Sequence, residues 1–129
     1  MSQDYGKQPY VVNIKDLTNG NDNFRTAVWT GQFMQMTLMS ILPGDDIGAE
    51  VHGDHDQFLR IEQGEARVLM GDSQDDISFE ASAGVGFAIF VPAGKWHNVI
   101  NVGDNSLKLY SIYAPAEHPL GTIHQTKPL

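Results

Sequence analysis

Several residue types and segments that mark particular classes of protein are missing from this sequence. It has no cysteine, which excludes a disulfide framework, a thiolate metal site and a cysteine nucleophile. No apolar run approaches the roughly 20 residues that a membrane-spanning helix needs, so we expect no membrane contact. The first ten residues lack the basic and apolar pattern of an export leader. We therefore expect a cytoplasmic protein.

Positive charge is also scarce. Eight lysines and arginines stand against 16 acidic residues, which gives a net charge of −8 with histidine neutral. A negative surface repels phosphate backbones, so we expect no nucleic-acid partner. Eleven of the acids lie within residues 45–80, where most of them are expected to form a solvated loop face. Glu50 is the exception and is considered below.

Three common catalytic and cofactor-binding motifs are absent. The sequence contains no P-loop and no Gly-x-Ser-x-Gly elbow. The glycines at 84 and 86 do not form a dinucleotide fingerprint, because no helical pattern follows them. We therefore expect no organic cofactor.

The pattern that is present is typical of short strands. Thirteen glycines and six prolines interrupt the chain, and no stretch keeps a helical apolar period for three turns. Regularly spaced short strands indicate an all-β sandwich or barrel. We expect one domain over residues 1–129, with the barrel at about 24–114, an N-terminal arm and a C-terminal arm at 115–129. About ten strands are predicted, at residues 11–14, 24–29, 33–41, 47–52, 57–62, 65–70, 77–80, 87–91, 96–100 and 107–113.

Four side chains in this pattern could converge on one cation. Glu50 and His52 are two residues apart in a predicted strand, so they point to the same face. Gln57 opens the next strand, and His97 follows a turn stiffened by proline and glycine. Imidazole with carboxylate or amide oxygen suits Zn, Mn, Fe, Co or Ni better than Ca or Mg. One divalent transition metal is therefore the expected cofactor.

The spacing of these residues resembles the two motifs of the cupin superfamily. The first motif is a glycine, five residues, His-x-His, three or four residues, a glutamate, six residues and a glycine. The second is a glycine, five residues, Pro-x-Gly, two residues, a histidine, three residues and an asparagine. The corresponding residues are Gly44, Glu50, His52, Gln57 and Gly64 for the first motif, and Gly86, Pro92, Gly94, His97 and Asn101 for the second.

The resemblance implies a double-stranded β-helix, or jelly-roll barrel, with the metal held by these four side chains. Two ligand positions differ from the motif, because Glu50 replaces a histidine and Gln57 replaces the glutamate. Both new side chains can ligate, and the formal ligand charge stays at −1. The mixed set is similar to those of zinc phosphomannose isomerases, and Gln57 resembles the equivalent residue of small cupins that open uronate sugars. The alternative is a cupin that has lost its metal.

His55 is the alternative fourth ligand in place of Glu50. Strand alternation would send it away from the face of His52, unless Gly53 and Asp54 break that alternation. As a non-ligand it would be a catalytic acid or base at the pocket rim, or a solvated loop histidine. The substrate-binding candidates are Arg60, which could hold an anion or pair with Glu62, together with Tyr110 and His118.

Three functions are consistent with the resemblance. The first is a metal-dependent enzyme on a small carbohydrate-like, hydroxy or keto substrate, with isomerase chemistry like that of mannose-6-phosphate isomerase. The second is a dioxygenase that uses Fe, Cu or Ni with O₂, and the third is a non-catalytic module that binds a small molecule or metal. A homodimer is expected, because exposed sheet edges of a small barrel need covering and the arms could pair with a second copy.

Overall fold

The computed structural model describes residues 4–128, so residues 1–3 and residue 129 of the predicted domain lie outside it. Within the described range the chain forms nine strands and one six-residue helix, which confirms the all-β prediction. The elements in chain order are α1 (Ile14–Asn19), β1 (Arg25–Thr30), β2 (Gln35–Ile41), β3 (Asp56–Gln63), β4 (Ala66–Gly71), β5 (Phe79–Ala83), β6 (Ala88–Val91), β7 (Trp96–Asn101), β8 (Leu107–Ala114) and β9 (Ile123–His124).

The strands form two antiparallel sheets that pack face to face. One sheet has six strands in the order β6-β3-β8-β2-β1-β9, and the other has three in the order β5-β4-β7. Neighbours in the larger sheet are mostly not consecutive in sequence, because the chain crosses between the sheets after β3, β5, β6 and β7. This topology is the double-stranded β-helix that the motif spacing predicts.

The inward-facing residues of the two sheets change character along the strands. In β2 and β8 the paired residues Met39 and Leu109, and then Ile41 and Leu107, are buried in the apolar core. Nearer the other end of the same pair, the inward residues are polar and include Gln35 and Thr37 on β2, Ser111 and Tyr113 on β8, Gln57 on β3 and His97 on β7. Apolar side chains therefore fill one half of the barrel, and polar side chains converge in the other half.

Three parts of the chain differ from the predicted strands. Residues 11–14 do not form a strand, because Asn13 caps the start of α1 with its side chain. Residues 47–52 are a loop, and only two single bridges join this part of the chain to β7, Asp46 with Ile100 and Glu50 with His97. The C-terminal arm is not free of strands, since β9 pairs with β1. No helix of residues 4–128 has the length and apolar character needed to span a membrane.

Gly64, the last glycine of the first motif, is expected to be required for stability. It has a φ of +99°, and a Cβ atom would lie 3.2 Å from the Cα atom of Leu107. Gly64→Ala should therefore lower the free energy of unfolding by about 1–3 kcal/mol. Urea denaturation measures the change, with Gly84→Ala as the control because a Cβ there would meet nothing within 4 Å. Equal midpoints for the two variants would contradict this prediction.

Candidate metal centre

The loop before β3 carries Glu50 and His52 into the polar half of the barrel. The backbone N–H of Glu50 donates to the His97 carbonyl over 3.0 Å, and the His97 N–H donates back over 2.9 Å. The N–H of Gly94 donates to the His52 carbonyl over 2.7 Å. Backbone hydrogen bonds thus fix the two halves of the motif against each other, although this segment is not a regular strand.

Glu50, His52 and His97 direct their side chains to one point. The Oε1 atom of Glu50 lies 3.5 Å from Nε2 of His52 and 3.6 Å from Nε2 of His97. Both distances are long for a hydrogen bond. Ligand atoms bound at 2.0–2.2 Å to one tetrahedral ion are separated by about 3.3–3.6 Å. The three atoms are therefore spaced as ligands of a shared cation, and this cluster could hold a metal ion.

The histidines have an asymmetric environment that suits metal ligation. His97 Nδ1 lies 3.2 Å from the Lys95 carbonyl, which can only accept, so this bond places the proton on Nδ1. His52 Nδ1 lies 3.5 Å from a Glu117 oxygen, and His55 Nδ1 lies 3.0 Å from an Asp54 oxygen. The Nε2 atoms of all three rings are buried and have no hydrogen-bond partner within residues 4–128. For His97, an accepting oxygen on Nδ1 and an unpaired Nε2 are the arrangement found around metal-bound histidine.

Gln57 contributes a fourth buried atom of the same kind. Its Nε2 donates to the Ser111 hydroxyl over 3.3 Å, which orients the amide, while its Oε1 is buried without a hydrogen-bond partner in the described chain. An unpaired buried carbonyl oxygen is costly unless a cation or a donor satisfies it. The donor set that is predicted from the sequence therefore fits a divalent transition metal.

His55 is buried, so it is not a solvated loop histidine. It is only 6 % exposed, and its ring stacks on that of His52 with the centroids 4.7 Å apart. Gly53 and Asp54 form a bend rather than extended strand, which turns His55 to the side of His52. His55, His52 and Glu117 form a second group whose atoms could hold a cation. The two groups share His52.

Glu117 is a site residue that the sequence analysis missed. One of its carboxylate oxygens lies 3.3 Å from Nε2 of His55 and 3.5 Å from Nδ1 of His52. Gln35 holds this part of the C-terminal arm in place: its Oε1 accepts from the N–H groups of Glu117 and His118, and its Nε2 donates to the His118 carbonyl. An acid between Pro115 and His118, in an arm expected near the barrel mouth, is the signal that could have identified it.

The electrostatics of the centre favour a charged carboxylate. Burial acts to raise the pKa of Glu50, but the imidazoles of His52 and His97 outweigh it and bring the pKa to about 2. The carboxylate of Glu50 in turn raises the pKa of His52 above its ordinary value. Burial raises the pKa of the Tyr113 hydroxyl, which keeps it neutral beside the cluster. The centre therefore presents a fixed negative charge to a cation.

The three predicted substrate-binding residues lie in different places. Arg60 lies on the outer face of the six-stranded sheet, where its side chain is 46 % exposed and its Nε atom is 3.3 Å from Glu62. Tyr110 is on the same outer face, in an apolar cluster with Leu38. The structure does not bring either residue to the centre. His118 does lie beside it, with its ring centroid 5.4 Å from that of Tyr113.

Comparison with known proteins places these features in a family. The model of the cupin domain matches residues 37–113, which include both motifs. YrkC of Bacillus subtilis, an uncharacterized protein, is 58 % identical over 125 residues, which are 97 % of this chain and 67 % of YrkC.

Solved structures give the same fold. The crystal structure of BH2720 from Bacillus halodurans matches with a TM-score of 0.96 and 54 % identity, over 97 % of this chain and 95 % of that one. Oxalate decarboxylase of Bacillus subtilis, a protein with Mn(II) centres, matches with a TM-score of 0.61 over 68 % of this chain and 23 % of its own, and at 20 % identity it supports the fold alone. The protein is a small member of the cupin family.

Proposed function

We propose that this cupin binds one divalent transition metal and is an enzyme that acts on a small carbohydrate-like, hydroxy or keto substrate by isomerase-type chemistry. One observation carries the proposal. The Nε2 atoms of His52 and His97 are buried beside the Glu50 carboxylate without hydrogen-bond partners in the described chain, and the Oε1 atom of Gln57 is likewise buried and unpaired there. Buried polar atoms are rarely left unpaired, so this set needs a ligand.

The residues that would hold the metal are Glu50, His52, Gln57 and His97. A bound Zn, Mn, Fe, Co or Ni ion supplies Lewis-acid polarisation of a substrate carbonyl or hydroxyl oxygen. The chain itself supplies the negative charge of Glu50 and the fixed tautomer of His97. Mn(II) in oxalate decarboxylase is a reason to include manganese among the metals tested.

Isomerisation also needs a group that moves a proton, and His55 with Glu117 can do this. Glu117 Oε1 lies 3.3 Å from Nε2 of His55, which is near enough for a proton to pass between the two groups once they align. The other nitrogen of His55 lies 3.0 Å from the carboxylate of Asp54, whose side chain is 88 % exposed. The pair thus connects the buried centre to solvent. This connection favours proton transfer over the dioxygenase alternative, in which such a pair has no evident role.

The test of the proposal combines metal analysis with a substrate panel. Protein purified without added metal should contain about one transition-metal ion per chain by elemental analysis. The metal-loaded protein is then assayed with aldoses, sugar phosphates and uronates, and oxygen uptake is recorded in parallel. We expect turnover without oxygen uptake, and we expect chelation to abolish it.

His55→Asn separates proton transfer from metal binding. Because His55 is proposed to carry the proton, turnover should fall by about 100-fold or more, the usual contribution of a general acid or base. Metal content should not change. Full turnover after exhaustive chelation would contradict the proposed function. Oxygen consumption would favour the dioxygenase, and bound metal without turnover of any panel member would favour a binding module.

A further inference from the structure

Arg25 is buried inside the barrel and has no acidic partner within residues 4–128. It pairs with Met39 across β1 and β2, so it shares the inward face of the core residues, and it is 6 % exposed. No carboxylate of the described chain lies within 4 Å of its guanidinium. A buried and unpaired charge is strongly unfavourable, and proteins normally compensate it with a counter-ion.

Part of the hydrogen-bonding capacity of Arg25 is unused. Its Nη1 atom lies 3.0 Å from Nδ1 of His124, and its Nε atom is buried without a partner. The guanidinium carbon of Arg25 also lies 5.1 Å from the centroid of the Phe24 ring. This cation–π contact uses the face of the guanidinium and none of its N–H donors. Guanidinium presents five donors in a planar fork that matches the two oxygens of a carboxylate or phosphate. A carboxylate or phosphate is therefore the kind of partner that these donors fit.

Arg25 begins opposite Met39 in the apolar half of the barrel, and its guanidinium extends to His124, toward the polar half that contains the metal centre. A row of rings leads from one to the other: His124 contacts Arg25, its centroid is 6.3 Å from that of His118, and His118 is 5.4 Å from Tyr113. Tyr113 is in turn 5.8 Å from His52. These contacts form a continuous series of side chains between the guanidinium and the ligand cluster.

We infer that Arg25 binds the carboxylate or phosphate group of a small substrate whose hydroxyl or carbonyl oxygens face the metal centre. The part of the inference that concerns the metal centre rests on the proposed function. The inference narrows the substrate class from carbohydrate-like, hydroxy or keto compounds in general to those that carry an anionic group. It also gives Arg25 the anion-binding role that the sequence analysis assigned to Arg60, whose side chain is exposed and paired with Glu62.

The test measures anion preference with matched probes. The metal-loaded full chain is titrated by calorimetry with D-glucuronate and D-glucose, D-galacturonate and D-galactose, glycerate and glycerol, and glycerol 3-phosphate and glycerol. We expect at least one anion to bind about tenfold or more tightly than its neutral counterpart, because a bidentate guanidinium–oxyanion pair forms only with the anion. The carboxylate and phosphate arms show which oxyanion is preferred.

Two variants and one control assign the preference to Arg25. Arg25→Gln should reduce the ratio of anion to neutral affinity to about one, and Arg25→Lys should leave an intermediate ratio because it keeps the charge but loses the fork. Arg60→Gln, on the outer face, should keep the wild-type ratio. The Nε–H resonance of Arg25 in the wild-type protein should also shift on addition of the preferred anion, a measurement that does not depend on the folding of a variant.

The outcomes for the two proposals differ. A metal-loaded protein with no preference for any anion, or a preference that persists in Arg25→Gln, overturns the role of Arg25 and leaves the metal-dependent function standing. Protein that binds no transition metal but still prefers anions through Arg25 contradicts the proposed function alone. Equal losses of anion and neutral binding in Arg25→Gln show a purely structural role and also overturn the inference.

Discussion

His97→Ala should abolish metal binding. His97 is 1 % exposed, its Nδ1 is oriented by the Lys95 carbonyl, and its Nε2 has no other partner within the described chain. Loss of a residue that only orients a ligand already weakens metal binding by about 10–100-fold, so loss of the ligand itself should exceed 100-fold. Elemental analysis after gel filtration should give about one ion per chain for the wild type and almost none for the variant.

The same change should remove the stabilisation by metal. At a free metal concentration 100 times the dissociation constant, binding to the folded state contributes about 2.7 kcal/mol. For a chain of this size that corresponds to a rise of roughly 10 °C in the melting temperature. We expect the wild type to show this rise with at least one of Zn, Mn, Fe, Co or Ni, and His97→Ala to show none.

His118→Ala is the matched control for His97→Ala. His118 also lies in the polar half of the barrel, but its ring contacts Tyr113 and His124 and does not belong to either of the two candidate clusters. Burial, followed by the charge of Arg25, lowers the pKa of His118 to about 4, so the alanine variant loses no positive charge at neutral pH. Metal content should therefore stay at the wild-type value. Equal metal content in His97→Ala and the wild type would contradict the assignment of the centre.

The fold could be predicted from the sequence because its core strands alternate. Leu59 and Ile61 face the core while Phe58 and Arg60 face outward, and this period of two is visible in the sequence. The second motif also predicted a turn and strand correctly, since Trp96–Asn101 forms β7. Short apolar runs without an alternating pattern were less informative: residues 11–14 lead into a helix that Asn13 caps, and the strand predicted at 77–80 is shifted to Phe79–Ala83.

The site could be predicted only in part. The spacing of residues within the two motifs indicates which motif side chains lie close together, but it does not indicate which residues of the terminal arms join them. Glu50, His52 and His97 form one group whose ligand atoms lie within 4.8 Å of one another, even though residues 47–52 are held by single bridges and not by a strand ladder. Glu117 comes from a segment that is 60 residues further along than Gln57, and its position depends on hydrogen bonds to Gln35. No local pattern encodes such a contact.

The sequence pattern also does not show which of the two arginines, Arg25 or Arg60, is buried. Arg25 and Arg60 are both in predicted strands, so their burial depends on which face of each strand turns inward. A strand register that differs by one residue exchanges the two faces. The β-bulge between Ala27 and Trp29 changes the alternation within β1, so the period of two alone does not predict the position of Arg25.

Asn101, the last residue of the second motif, has a structural role in this chain. It is 2 % exposed, and its Nδ2 donates to the carbonyls of Ile41 and Asn105, each over 2.9 Å. Its Oδ1 accepts from the N–H of Gly103 over 2.9 Å. The side chain therefore joins the end of β2 to the turn between β7 and β8. None of its polar atoms is left for a metal.

Asn101→Ala is accordingly expected to destabilise the fold without affecting the centre. The change leaves three backbone groups without their partner, and the loss in free energy of unfolding should be about 2–4 kcal/mol. Thermal unfolding should show a melting temperature lower by roughly 10 °C. Asn105→Ala, at an exposed position of the same turn, is the control and should unfold like the wild type. At temperatures where Asn101→Ala is folded, its metal content should equal that of the wild type. A variant that keeps its stability but loses metal would instead place Asn101 in the metal centre, since only a contribution to ligand geometry could produce that combination.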